Sequence, residues 1–173
     1  MRRYDLLVRR KSFARWPCSI ARTVDLIGDA WTLLVLRELF YGQTKFEEFV
    51  DTLGIPRNTL ADRLAVLVSG GVAERRGYQV DPVRHEYVLT AQGRDLFGVL
   101  ASINAWGDRW LDRGDGAPVV MRHEPCKHDL DVHVTCAHCG QVVSAEDVTA
   151  RTGPGYPAAL ATHPALASRF HSP

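Results

Sequence analysis

The chain has little that would mark it as secreted, membrane-bound or catalytic. Its 173 residues include only four cysteines, too few for the dense disulfide scaffolds of small secreted domains. Apolar runs are short, such as "LLVL" at 33–36, whereas a membrane span needs about 20 consecutive apolar residues. The opening "MRRYDLLVRR" carries charge without an apolar stretch of signal-peptide length. Neither a His-Glu-x-x-His motif nor a glycine-rich phosphate loop occurs, and no Cys-x-x-Cys opens a helix in a strand-helix-strand pattern; the common signatures of zinc hydrolases, nucleotide enzymes and thiol oxidoreductases are therefore missing. An excess of one charge is missing too. The formal net charge is +1, so any case for nucleic-acid binding must come from local placement. These absences lead us to expect a cytoplasmic protein that is not an enzyme and has no membrane partner.

What is present is an ordinary globular composition, 46% hydrophobic and 24% charged. A chain of this length can bury one core and carry a small appendage, since domains mostly run to about 100–150 residues. Residues 1–15 form a basic arm, with Arg2, Arg3, Arg9, Arg10, Lys11 and Arg15 against Asp5, a local net of +5. Such an arm either frays in solvent or follows a phosphate backbone.

Helical spacing then begins. Ile20, Val24 and Ile27 recur on one face up to Gly28, and "DAWTLLVLRELFYG" is apolar almost all round, as suits a central buried helix. In "TKFEEFVDTLG", Phe46, Phe49, Val50 and Leu53 share a face, and Thr44 with Glu47 has the spacing of a capping box. "IPRNTLADRLAVLVSGG" sets Leu60, Leu64, Leu67 and Val68 in a stripe, with Pro56 in the first turn. Asn58, Thr59, Asp62, Arg63 and Val66 fall opposite that stripe. "VAERRGYQVDPVRHEYVLT" reads as two strands around Asp81 and Pro82, with His85, Tyr87 and Leu89 alternating against Arg84, Glu86 and Val88. One last helix is expected over 91–111, its seam made by Leu96, Leu100, Ile103 and Trp110 with Phe97 and Trp106 beside it. That seam is long enough to serve another chain. No internal repeat is apparent in the sequence.

Two short helices joined by a tight turn and followed by a hairpin make the outline of a winged helix-turn-helix. The predicted class is thus mainly α with a small β-hairpin wing, plus a small C-terminal zinc-ribbon-like segment. The corresponding layout is a basic arm at 1–15, the winged helix-turn-helix DNA-binding and dimerisation domain at 16–112, a linker at 113–120, the ribbon-like segment at 121–150 and a weakly ordered tail at 151–173. In such a motif the N-terminal end of the second helix meets the bases. Here it offers Arg57, Asn58, Thr59 and Arg63: arginine forks onto guanine, asparagine onto adenine, and threonine touches a thymine methyl or a phosphate. Asp62 either orients Arg63 or accepts from cytosine. The wing adds Arg75, Arg76, Arg84 and His85 for phosphate or minor-groove contact. Double-stranded DNA is the expected partner.

The stretches "CSIARTVDLIGDAWTLLVLRELFYGQTKFEEF", "LGIPRNTLADRLAVLVSGGVAERR" and "RHEYVLTAQGRDL" resemble the HxlR-type family of bacterial winged helix-turn-helix transcriptional regulators over about residues 16–111. The resemblance implies a homodimer on an inverted-repeat operator, built through the helices at 19–28 and 91–111. It also implies that Cys18 stands where redox sensors of the family keep a cysteine. Pro56 departs from the Ser or Ala frequent near that helix start. Trp16, Trp31, Trp106 and Trp110 are candidates to line a pocket for a small-molecule effector between dimer helices, although buried tryptophan is more often core.

The cysteines pose two separate questions. "HEPCKHDLDVHVTCAHCG" places His123-x2-Cys126 nine residues before Cys136-x2-Cys139, and a zinc ribbon needs two ligands from each of two loops. The expected structural Zn ligands are His123, Cys126, Cys136 and Cys139, with His128 as the alternative fourth ligand and His133 and His138 also open. Free thiols or a disulfide are the bland reading, and a ribbon that docks a protein partner is a further one. Cys18 stands apart, after Pro17 and with Arg15 and Arg22 nearby, where a helix N-terminus and positive charge favour thiolate. It is either a redox sensor or a small apolar packing group.

Overall fold

A computed structural model describes residues 12–163 together with Leu166 and Phe170. The basic arm's Arg2, Arg3, Arg9, Arg10 and Lys11 lie outside the described residues. The chain divides into two compact units, Met1–Val88 and Leu89–Pro173.

The first unit holds α1 (Ser19–Ile27), α2 (Ala30–Phe40), α3 (Phe46–Leu53), α4 (Arg57–Ser69) and the hairpin of β1 (Ala73–Val80) and β2 (Val83–Leu89), whose last residue opens the second unit. α2 starts where the Asp29 carboxylate accepts the N–H groups of Trp31 and Thr32 at 3.0 and 3.3 Å, satisfying donors that a helix start leaves orphaned. Its Val35, Leu36 and Leu39 are buried, as its nearly continuous apolar sequence requires. α3 is capped one residue later than its sequence suggests. Glu48, not Glu47, accepts the N–H groups of Thr44 and Lys45, both at 2.9 Å, because the helix begins at Phe46 and this puts Glu48 at the third position. Glu47 is thereby left for another partner.

Gly54 ends α3 with φ +61°, and its N–H donates to the Val50 carbonyl at 2.9 Å. An L side chain there would cost roughly 1–2 kcal/mol, so glycine fixes the tight turn into α4. Ile55 plugs that turn at 1% exposure. Pro56 is the N-cap of α4 and lies just before its first turn; its carbonyl accepts from Leu60 at 2.9 Å. The stripe of Leu60, Leu64 and Leu67 is buried against α2 and α3 together with Phe49, each side chain stabilising the fold by about 1.5–3 kcal/mol. Val68, at the stripe's edge, is only half-buried.

The wing differs from simple alternation: every side chain from His85 to Leu89 is half-buried. The reason is a third partner for β2. Lys45 pairs antiparallel with Glu86, and Tyr87 N–H donates to the Thr44 carbonyl at 2.8 Å, so the segment before α3 covers the outer edge of β2.

The second unit opens with two helices where one was expected. α5 (Ala91–Asp95) and α6 (Phe97–Trp110) meet at Leu96, whose N–H closes a tight bond to Gly93 O at 3.1 Å. Gly93, a weak helix former, sits where the ladder tightens to the shorter repeat. Two short strand pairs follow. β3 (Arg122–His123) and β4 (His128–Asp129) form the first. Thr135 and Val142 bridge the second. A 3-10 turn (Ala145–Asp147) and α7 (Ala158–Ala161) complete the described chain, with Tyr156 against Phe170 edge-on at 5.1 Å. Part of the stretch expected to be weakly ordered thus carries a helical turn.

The two pairs are one motif used twice, and this repeat was not apparent in the sequence. Arg122 pairs Asp129 as Thr135 pairs Val142. Lys127 N–H donates to His123 O at 2.8 Å as Gly140 N–H donates to Cys136 O at 2.7 Å. Leu130 N–H reaches Met121 O at 2.7 Å as Val143 N–H reaches Val134 O at 2.8 Å. Lys127 and Gly140 both have left-handed backbone, φ 62° and 74°. Each equivalence is an offset of 13 residues, 122 to 135 and 127 to 140 alike. Among the described residues, no helix is long and apolar enough to cross a membrane.

Candidate nucleic-acid interface

The leucine stripe turns the opposite side of α4 outward. Arg57 and Asn58 are exposed, while Thr59 and Arg63 are half-buried. Arg57 forks onto Glu47, Nη1 to Oε2 and Nη2 to Oε1, both at 2.6 Å, with its guanidinium 5.0 Å from the Phe46 ring centroid. The hydrogen bonds from Arg57 hold the Glu47 carboxyl below the usual carboxylate range, and the charges of Arg57 and Arg84 add to this. The same fork that pairs with a carboxylate matches guanine O6 and N7. Glu47 therefore occupies the fork in the DNA-free protein.

Arg63 is turned another way. Its Nε lies 3.4 Å from Asp29 Oδ1, the carboxylate that caps α2. The acid near it is thus Asp29, and Asp62 is exposed on its own turn. On the wing, Arg75 Nη2 and His85 Nδ1 are 2.9 Å apart across the two strands, and Arg76 pairs with Glu74. Arg84 and His85 join Lys45, Glu47 and Tyr78 around an open cleft of about 420 Å³, with Lys45 Nζ 5.8 Å from the Tyr78 ring centroid.

The fold gathers Arg57, Arg84 and His85 around Glu47 and leaves Asn58 facing solvent. Lys45, Glu47 and Asp29 belong to this surface, and their sequence context does not mark them as site residues. Glu47 stands ten residues before Arg57 across a turn, a separation that no helical or strand period connects. The one local signal, its place in an apparent capping box, pointed away from its partner.

The cysteines fall elsewhere. Cys18 is the N-cap of α1, exposed, its Sγ accepting the Ala21 N–H at 3.5 Å. At the tip of the first pair, His123 Nδ1 is 3.1 Å from Cys126 Sγ. At the second, backbone N–H groups of Cys139 and His138 hydrogen-bond to the Cys136 thiol and hold it below its ordinary range, assisted by Cys139 itself. Each tip presents two ligand-type side chains. Among the described residues, no three His, Cys, Asp or Glu side chains are gathered around one point.

The chain is similar to known proteins. Residues 26–115 match the model of a family described as HxlR-like helix-turn-helix. An uncharacterised HTH-type transcriptional regulator of Mycobacterium tuberculosis is 45% identical over 144 residues, which cover 83% of this chain and 91% of that one. The crystal structure of PA1607, described as a candidate transcription factor, superposes with a TM-score of 0.74 at 33% identity, over 83% of this chain and 99% of that one. The redox regulator HypR in its oxidised form is similar at a TM-score of 0.52 and 29% identity, over 55% of this chain and 99% of that one.

Proposed function

Since the chain belongs to the HxlR-like helix-turn-helix family and is accordingly a DNA-binding transcriptional regulator, we propose that it acts in the cytoplasm as a homodimer on an inverted-repeat operator. One α4 would enter each half-site, with Asn58 and Thr59 at base edges and Arg57 released from Glu47 to guanine or phosphate. Arg75, Arg76, Arg84 and His85 would follow the flanking backbone, and Arg63 would stiffen α4 from behind through Asp29. The observation that carries this reading is the exposed N-terminal turn of α4 beside a basic wing. The dimer is supported by apolar side chains left outside: Ile20 and Val24 on α1, and Val99, Ile103, Trp106 and Trp110 on α6. Any small-molecule effector would use the trough of α6 lined by Val99, Ile103 and Trp106.

Selection of bound duplexes from a random library tests the proposal. A palindromic consensus with two half-sites about one helical turn apart is expected, with affinity falling steeply as salt rises. Binding no tighter than to random duplex would overturn it.

A second reading makes the regulator redox-responsive through Cys18. Its exposed sulfur at the start of α1 and the likeness to HypR favour it. Oxidation there would disturb the first turn of an apolar-faced helix, and so the spacing of two reading heads. Operator binding that responds equally to oxidant in wild type and Cys18→Ser would remove Cys18 as the sensor.

A further inference from the structure

We propose that a zinc ion is held by His123, Cys126, Cys136 and Cys139, drawing together two C-terminal hairpin tips that each present one ligand pair. The inference is independent of the DNA-binding reading.

It rests on the repeat. The equivalence of strand pairing, turn bonds and left-handed residue puts His123 at the place of Cys136 and Cys126 at the place of Cys139. Of the ten residues in each copy, 121–130 and 134–143, only Cys126 and Cys139 are the same. Two segments that share almost no sequence adopt one local geometry, and both use it to present two metal-ligating side chains at a turn. Tetrahedral zinc takes two ligands from each of two such turns.

The repeat also chooses among the histidines. His128 falls at the place of Gln141, a residue with no ligand role in the second copy. His133 lies outside both copies and hydrogen-bonds Asp131 at 3.0 Å. His138 lies within the second turn at the place of Pro125. Among the described residues, His123 is the histidine whose ring nitrogen faces a cysteine sulfur, 3.1 Å away. A disulfide would employ at most two of the four groups and leave the histidine unexplained.

The segment has a reason to need the ion. From Ser102 to His163 no described side chain is buried, and domains below about 40 residues generally rely on a metal, a disulfide or a partner. The two ligand pairs stand apart, so the ion would supply the cross-link that apolar packing does not. Four protein ligands leave no open position, which makes the site structural. Binding releases the thiol protons to solvent, so occupancy rises with pH.

The test uses the full chain, purified under reducing conditions and incubated with zinc, then with cobalt(II) as an optical probe. About one zinc per chain is expected, and cobalt should show tetrahedral visible bands with a thiolate charge-transfer band. Cys126→Ser, Cys136→Ser and His123→Ala should each lose most of the zinc, while Cys18→Ser and His128→Ala keep it. Because nearly all of the buried core lies in the first unit and none of it beyond Ala101, far-ultraviolet circular dichroism of the losing variants should stay helical. Less than about half an equivalent of zinc in the wild type, or full content in Cys126→Ser, would overturn the site. Retention in His123→Ala with loss in His128→Ala would overturn the ligand set.

Discussion

Between α2 and the start of β1 the chain hides Val35, Leu36, Phe49, Ile55, Leu60, Leu64, Leu67 and Val72 almost completely. Beyond Ala101 no described side chain is more than half-buried. The first region is held by side chains from elements distant in sequence. The second is held by backbone hydrogen bonds between residues a few positions apart. A fold of the first kind tolerates a varied surface, and here that surface carries Arg57, Asn58 and the basic side chains of the wing. A fold of the second kind keeps its shape locally but needs something further to fix one piece against the next.

The largest effect expected from this contrast is in the first region. Phe49, fully buried between helices, should cost about 3–5 kcal/mol when replaced by alanine. Urea unfolding followed by circular dichroism would measure it. A loss below about 1 kcal/mol would mean that the helical core is not what holds this region.

The same contrast explains what could be read in advance. Apolar periodicity announced α1 to α4 because buried side chains must repeat at the pitch of their helix. The exposed face of α4 follows as the complement of the leucine stripe, which is why Asn58 is found in solvent. What periodicity does not report is which long polar side chains meet. Glu47 with Arg57 and Asp29 with Arg63 are joined only by the folded path of the chain. The break at Leu96 escaped notice because the apolar seam runs straight across it. The C-terminal repeat escaped notice for a related reason: its equivalence lies in backbone bonds and left-handed residues, while Lys127 takes a conformation for which Gly140 is the ordinary choice.

Next in size is a change that separates the two faces of α4. Asn58→Ala should leave unfolding unchanged, since its side chain is exposed. It should weaken the operator complex by about 1–3 kcal/mol, with little effect on random duplex. Fluorescence anisotropy against both duplexes decides this. Equal losses on the two would make Asn58 a backbone contact instead of a base reader.

A smaller effect belongs to the start of α3. The N–H groups of Lys45 and Thr44, which donate to Glu48, hold its carboxyl below the usual range. A depressed carboxylate stabilises the folded state above its unfolded value near ~4.3, and this contribution is lost as pH falls through the lower folded value. Glu48→Gln should therefore cost about 0.5–1 kcal/mol at neutral pH, at the low end for a cap because the site is exposed to water. The gap to wild type should close below pH ~4. A gap that persists unchanged in acid would show that the cap does not depend on the charge.

The smallest expected change sharpens the contrast most, because apolar packing would predict the opposite. Val142 is a large aliphatic residue bridged to Thr135, and in the first region a valine of that size would be core. Here it is 59% exposed, so truncation removes almost no buried area and opens no cavity. Val142→Ala should shift stability by no more than about 0.5 kcal/mol, and limited proteolysis of residues 121–143 should proceed at the wild-type rate. With zinc bound as proposed, its chelation should speed that proteolysis while leaving the helical unfolding transition in place. A valine truncation that opened the segment as fully as chelation does would mean that apolar contact joins the hairpins, and the two regions would then be held by the same force.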